Sequence, residues 1–174
     1  MSEAQVSLAR LQPNERTLLS NLMELYVHDL SALFPHVTLG EDGRFGYARL
    51  PLYFDESEPR FAFLIRAGGR VAGFALATRG SSAADDPEVH DVAEFFVLRQ
   101  HRRSGVGRNA AGLLFRTLPA RWTVRVLERN ARALVFWRQT VREFTHDTAH
   151  ETERHDASGT WCVFAFDSAA NGAA

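Results

Sequence analysis

Val97-Leu98-Arg99-Gln100-His101-Arg102-Arg103-Ser104-Gly105-Val106-Gly107-Arg108 is the stretch on which the reading of this chain turns. Residues 89–98 alternate as a strand, and after Gly105 the residues Val106, Ala110, Leu113 and Leu114 share one side of a helix that Pro119 ends. Glycines at such a junction let several backbone N–H groups point into one concavity, and the helix N-terminus adds about half a positive charge. Arg102, Arg103 and Arg108 reinforce that field. The physical product is a cradle for a phosphate or pyrophosphate.

The flanking sequence gives this turn a sheet to sit on. Upstream, residues 13–35 carry Leu19, Leu22, Tyr26, Leu30 and Leu33 at helical spacing, with Pro13 as a favourable first residue and Pro35 as the stop. Residues 61–67 and 71–78 read as an antiparallel hairpin joined by Gly68-Gly69-Arg70. In the strand 89–98, strict alternation puts Val92, Glu94, Phe96 and Leu98 on one face, leaving Glu94 among large apolar residues. Downstream, residues 122–128 form a strand, and Asn130 caps a helix whose inward face is Ala133, Leu134, Trp137, Val141 and Phe144. The strand–helix–strand order implies a right-handed crossover with strands 89–98 and 122–128 parallel. Residues 160–166 make a final apolar strand, and the polar stretch 145–158 before it supplies another strand or hairpin arm.

The chain has 174 residues, 45% hydrophobic and 24% charged with net charge −1, which suits one core: a single domain over residues 1–168 with a flexible tail at 169–174. All 20 basic residues are arginine, so a lysine nucleophile, Schiff base or P-loop lysine is excluded. The near-neutral charge, with no aromatic residues interleaved in the arginine run, argues against nucleic acid as a partner. No apolar run reaches the ~20 residues a membrane span requires. Cys162 is the sole cysteine and alternates within an apolar strand, which reads as buried filler. The N-terminus lacks a basic-then-apolar leader pattern, so the expected compartment is the cytoplasm. His146-Asp147-Thr148-Ala149-His150 only superficially matches HExxH, because Asp replaces the Glu and the segment lacks amphipathic spacing; no metal is expected.

Two readings of the cradle compete. Gly105, Gly107 and Ala110 satisfy GxGxx(G/A), with Glu128 about 20 residues on, as in dinucleotide-binding folds. A charged loop, however, separates Leu98 from Gly105, and too few strands remain for two mononucleotide-binding halves. Alternatively, residues 97–107 resemble the acyl-CoA-binding motif of the GCN5-related N-acetyltransferases (GNAT), (Arg/Gln)-x-x-Gly-x-(Gly/Ala) after a strand. Asn130-x-x-Ala133-x-x-Phe136 is similar to a second signature of that family, in the family's order.

The resemblance implies an α/β fold with a mixed, mainly antiparallel sheet of six to seven strands flanked by about four helices. It implies acetyl or acyl transfer from acetyl-CoA to a small-molecule or peptide amine, by direct attack in a ternary complex. The pantetheine arm would enter between the two parallel strands and bond backbone near Phe96, Val97 and Leu98. Its pyrophosphate would rest on the amides of Arg102, Arg103, Ser104, Gly105, Val106, Gly107 and Arg108, and Asn130 would hydrogen-bond the arm. A homodimer is compatible with the family.

Aminolysis needs a proton acceptor, because an amine of pKa ~10.4 is protonated at neutral pH. Glu94 is the leading base, since apolar surroundings raise a carboxylate's pKa; Asp91, His90 and Glu88 are alternatives. Many family members place a tyrosine after the Phe of the second motif to protonate the leaving thiolate, but this chain has Trp137, whose N–H does not supply a proton. That substitution leaves a non-catalytic acyl-CoA-binding or regulatory module as the second functional reading. Tyr26 is a substitute donor on one reading and core packing on the other.

Overall fold

The computed structural model describes residues 5–170, so part of the 169–174 tail lies outside the described residues. Strands β1 (Val6–Arg10), β2 (Arg60–Ala67), β3 (Arg70–Ser81), β4 (Asp86–Val97), β5 (Arg121–Leu127), β6 (His150–Asp156) and β7 (Gly159–Asp167) form one sheet in the order β1-β2-β3-β4-β5-β7-β6. Neighbours pair antiparallel except β4 with β5, which are parallel across the crossover through α2 (Val106–Thr117). Helices α1 (Arg16–Ser31) and α3 (Ala131–Thr145) complete the layers. Among the described residues there are three α-helices, not about four: residues 32–59 run irregularly, with one 3-10 turn at Leu50–Phe54.

Each sheet face has its own core. Leu19, Leu22 and Met23 of α1 pack on Phe74, Leu76 and Phe96. On the other face Leu114 and Phe115 of α2 and Trp137 and Val141 of α3 pack on Val124, Val126 and Phe164. Cys162 belongs to this second core. Its Sγ–H donates to Glu151 Oε1 at 3.0 Å, and burial first, then that carboxylate, pushes the thiol up to about 12. Strand β1 carries no strong alternation and is legible only through its pairing with β2. Strand β6, exposed along its whole length, is likewise held by its antiparallel register with β7. His146 and Asp147 take left-handed conformations after α3, and His150 opens β6; no group of three potential metal-ligating side chains gathers among the described residues.

Two irregularities shape the middle of the sheet. The register of β3 on β4 shifts between Leu76↔Glu94 and Ala77↔Val92, so Ala93 is an extra, bulged residue. The bulge corrects strict alternation: Val92 joins the α2/α3 core, whereas Ala93 and Phe96 join the α1 core, the side to which Glu94 also points. Second, β4 and β5 pair only at His90↔Trp122, Asp91↔Thr123 and Val92↔Val124. Beyond Val92 the two strands run on to Val97 and Leu127 without pairing. The paired base is fastened by Asp91, 2% exposed, which accepts from Thr123 Oγ1 at 2.8 Å and from the guanidinium of Arg125 at 2.5 Å.

Gly73 lets β3 lie against the far end of β4, because a Cβ there would sit 1.9 Å from the Phe96 carbonyl oxygen. Backbone cannot yield as a flexible side chain does. Gly73→Ala should therefore lower stability by about 3 kcal/mol or more, read as a lower urea midpoint with an unchanged slope.

Candidate active site

The stretch of β4 that has parted from β5 separates two chemically different ends. At one end lies the turn between β4 and α2. After a 3-10 turn at Arg99–His101, Arg103 (φ 63°) and Gly105 (φ 79°) adopt left-handed conformations, and Gly105 is the N-cap of α2 without any side-chain cap. The first amides of α2 therefore have no helical acceptor and no capping side chain. Ser104, exposed, donates its hydroxyl back to the His101 carbonyl at 2.9 Å. Gly107 permits close packing of α2 on α3, because a Cβ there would meet the Phe136 ring at 3.1 Å. The arrangement leaves several backbone donors gathered at the start of α2.

The arginines of the turn do more specific work than adding charge. Arg102 Nε donates to the Val97 carbonyl at 2.7 Å, its Nη2 donates to Asp29 at 2.7 Å, and the guanidinium lies 5.6 Å from the Phe96 ring centre. Arg99 donates to the other Asp29 oxygen at 2.6 Å. Burial works against ionisation of Asp29, but the hydrogen bonds from Arg102 and Arg99 outweigh it and hold the carboxyl below the usual range. Helix α1 is thus clamped to the turn. Arg108 pairs with Glu143 of α3 at 2.9 Å on the surface, and Arg103 is exposed.

Of the strand residues expected to meet the pantetheine arm, Leu98 has its N–H spent on the Ala72 carbonyl and its carbonyl engaged by the His101 N–H. Phe96 and Val97 pair with Phe74 and Gly73 of β3 on one side, and on the other lie along the edge of β4 that β5 has left. Asn130 is the N-cap of α3, its Oδ1 accepting from the Ala133 N–H at 3.3 Å. Trp137 is buried, with Phe95 and Phe136 edge-on at 5.0 Å each.

At the other end Glu94 faces an open cleft of about 350 Å³ between the second half of α1 and the irregular segment after it. Tyr26 of α1 donates to Glu94 Oε2 at 2.5 Å and Tyr47 donates to Oε1 at 2.9 Å, so each carboxylate oxygen carries one phenol. Tyr53 lies close enough to feel the same charge. All three tyrosines of the chain therefore gather about one carboxylate. Burial raises the Glu94 pKa, and the phenol hydrogen bonds with the charges of Arg125 and Arg49 only partly offset it. The phenols in turn are driven well above their ordinary range, by burial first and then by the Glu94 charge, so they stay protonated.

The alternative bases sit elsewhere. Asp91 is committed to Arg125 and Thr123 in the paired part of the strands. His90 lies between the rings of Phe61 and Trp122, in the α2/α3 core, and burial lowers its pKa. Glu88, exposed, is 3.9 Å from Arg79. Tyr26 packs its ring on Phe74 and Phe96, as the core reading has it, and its hydroxyl donates to Glu94. Tyr47 escaped sequence reasoning, since residues 32–59 have no periodicity that would aim a side chain at β4.

The family model described as "Acetyltransferase (GNAT) family" matches residues 19–141 of the chain. No sequence among curated proteins matches it. Among solved structures, an acetyltransferase from Thermus thermophilus is 18% identical with a TM-score of 0.66, covering 96% of this chain and 99% of its own. The aminoglycoside acetyltransferase AAC(6')-Ib in complex with coenzyme A and kanamycin is 12% identical with a TM-score of 0.66, covering 94% and 95%. The structure of yncA from Salmonella typhimurium with its cofactor acetyl-CoA is 12% identical with a TM-score of 0.59, covering 93% of each chain.

The Glu94 environment sets a sign for stability. A carboxyl whose pKa is raised by folding binds more protons in the folded state, so its contribution is most favourable at low pH and is lost as pH climbs from the ordinary 4.5 through the folded-state value. Glu94→Gln should thus be at least as stable as the parent at pH 7 in thermal melts, with that advantage shrinking toward pH 4. Tyr26→Phe removes a donor that favours the anion, so carboxyl NMR should show Glu94 titrating at still higher pH.

Proposed function

This chain belongs to the GNAT family of acetyltransferases, and we propose that it transfers the acetyl group of acetyl-CoA to a primary amine by direct attack in a ternary complex, with Glu94 as proton acceptor. The observation that carries the reading is the parting of β4 from β5 after Val92, with an uncapped helix N-terminus at one end of the opening and a desolvated carboxylate facing a cleft at the other. The residues present fit the coenzyme. The first-turn amides of α2 with those of Arg103, Ser104 and Gly105 suit its pyrophosphate, and the edge of β4 that β5 leaves open beyond Val92 suits an extended amide-bearing arm, with the Val97 carbonyl already held by Arg102. Asn130 Nδ2 remains available beside it, since the cap uses only Oδ1. Arg102 contributes as a strut, holding Val97 O and Asp29. We place the reaction in the cytoplasm.

The amine must be neutral when it attacks. Its nitrogen attacks the thioester carbonyl, a C–N bond forms, the C–S bond breaks, and one proton leaves nitrogen for Glu94, directly or through a phenol that passes its own proton to the carboxylate in the same motion. The raised pKa of Glu94 brings it nearer the pH at which a general base is useful. Trp137 offers no acid for the leaving sulfur. A thiolate of pKa near ~8.5 is a tolerable leaving group without one.

Trp137 also sustains the second reading, an acyl-CoA-binding module without turnover. Thiol release measured with a panel of amines, beside calorimetric acetyl-CoA affinity, separates the two: binding without release on any amine favours the module. For the enzyme, Glu94→Gln should lower kcat by about 10²–10⁴-fold with coenzyme affinity unchanged. Ser104→Asp puts a carboxylate at the mouth of the amide cradle, where it should weaken acetyl-CoA binding at least about tenfold while leaving thermal stability intact, because an acidic residue there suits the helix dipole.

A further inference from the structure

The cleft beside Glu94 carries information about the acceptor. Its wall is mainly aromatic and aliphatic, with Phe34, Phe45, Leu30 and Val37 beside the phenols and the polar His36 and Thr38, and among the described residues Glu94 is the only carboxylate that lines it. Two acidic groups of α1 near it are consumed inside the chain. Asp29 is neutralised by Arg99 and Arg102. Glu24 accepts from the Phe45 N–H at 2.7 Å, the Gly46 N–H at 3.2 Å and the Arg44 guanidinium at 3.3 Å, which pins the segment bearing Phe45 and Tyr47 to α1.

Among the described residues no arginine lines the cleft, and the guanidiniums near it act from beyond its wall. Arg49 and Arg125 act on Glu94 through space, and Arg129 lies over the Phe34 ring at 5.2 Å. A polycation entering here would meet one lining carboxylate. The volume, about 350 Å³, is at the small end of the range for ligand pockets, about 300–1,000 Å³.

Resting on the acetyl-transfer reading above, we infer that the acceptor is a small monoamine carried on an apolar or aromatic body, of the arylalkylamine class, and that polyamines and aminoglycosides are excluded. The body sits among Phe34, Phe45 and Val37. The amino group points to Glu94 and its phenols, whose aromatic faces also suit an ammonium before it loses its proton. Specificity comes from what the site lacks as much as from what it offers: among the described residues, no second carboxylate lines the cleft to meet a second ammonium.

The test uses the full-length chain with saturating acetyl-CoA and follows thiol release with 2-phenylethylamine, tyramine, spermidine, kanamycin and phenylalanine, alongside calorimetric acetyl-CoA affinity. The expected result is a kcat/KM for the two arylalkylamines at least about a hundredfold above that for spermidine and kanamycin. In Phe45→Ala, KM for 2-phenylethylamine should rise about tenfold with acetyl-CoA affinity unchanged. Preference for spermidine or kanamycin overturns the acceptor class, as does preference for phenylalanine, whose carboxylate would then be read by an arginine. Intact acetyl-CoA binding with turnover of none of the five overturns it too. Failure to bind acetyl-CoA sinks the acetyl-transfer reading instead, so the two failures are distinct.

Discussion

Three residue pairs of parallel pairing, followed by none, are the constraint on which the site depends. Backbone groups left unpaired inside a sheet are costly unless something else meets them. The chain accepts an opening beyond Val92 because the base below it is tied by the Asp91–Arg125 pair and because a helix enters on each side of the parting, α2 through the Arg99–Gly105 turn and α3 through the Asn130 cap. A site between strands keeps the rigidity of the sheet while exposing main-chain hydrogen-bonding capacity that a fully laddered sheet would hide.

Electrostatics in this region follow from the absence of lysine and the placement of arginine. Three guanidiniums are geometrically committed, so their positive charge is held in fixed positions: Arg102 spans Val97 and Asp29, Arg99 completes the Asp29 pair, and Arg125 closes on Asp91. These pairings remove acidic charge from the neighbourhood of the cleft and leave Glu94, among the described residues, as the one carboxylate lining it. Its chemistry is then governed by burial on one side and by two phenols on the other.

The local elements were legible because their signals are local. Glycine spacing before Val106, the Asn130 cap and the apolar periodicities of α1, α2 and α3 each depend on contiguous residues, and each resulting element was foreseen to within a few residues. The turn 99–105 was readable as an anion cradle for the same reason. Strict alternation failed at Ala93, because a bulge exists only in relation to the strand it faces, and the partner register of β3 is not written in β4. Strand β1 was hidden for a related reason, being short and weakly patterned, whereas β6, polar on both faces, was expected only as a strand or hairpin arm somewhere in 145–158 and takes its bounds from its neighbour.

By itself the amino-acid sequence determined the order of elements, the glycine-bearing turn into α2, the family resemblance and the candidacy of Glu94, all of which rest on short-range spacing and residue chemistry. Only the tertiary structure decided what surrounds that carboxylate. Tyr26 and Tyr47 lie 68 and 47 residues from it in sequence, and their convergence follows from α1 packing on the sheet and from Glu24 fastening the segment after it. Contacts over such separations come from the summed packing of whole layers, a property that no local pattern encodes.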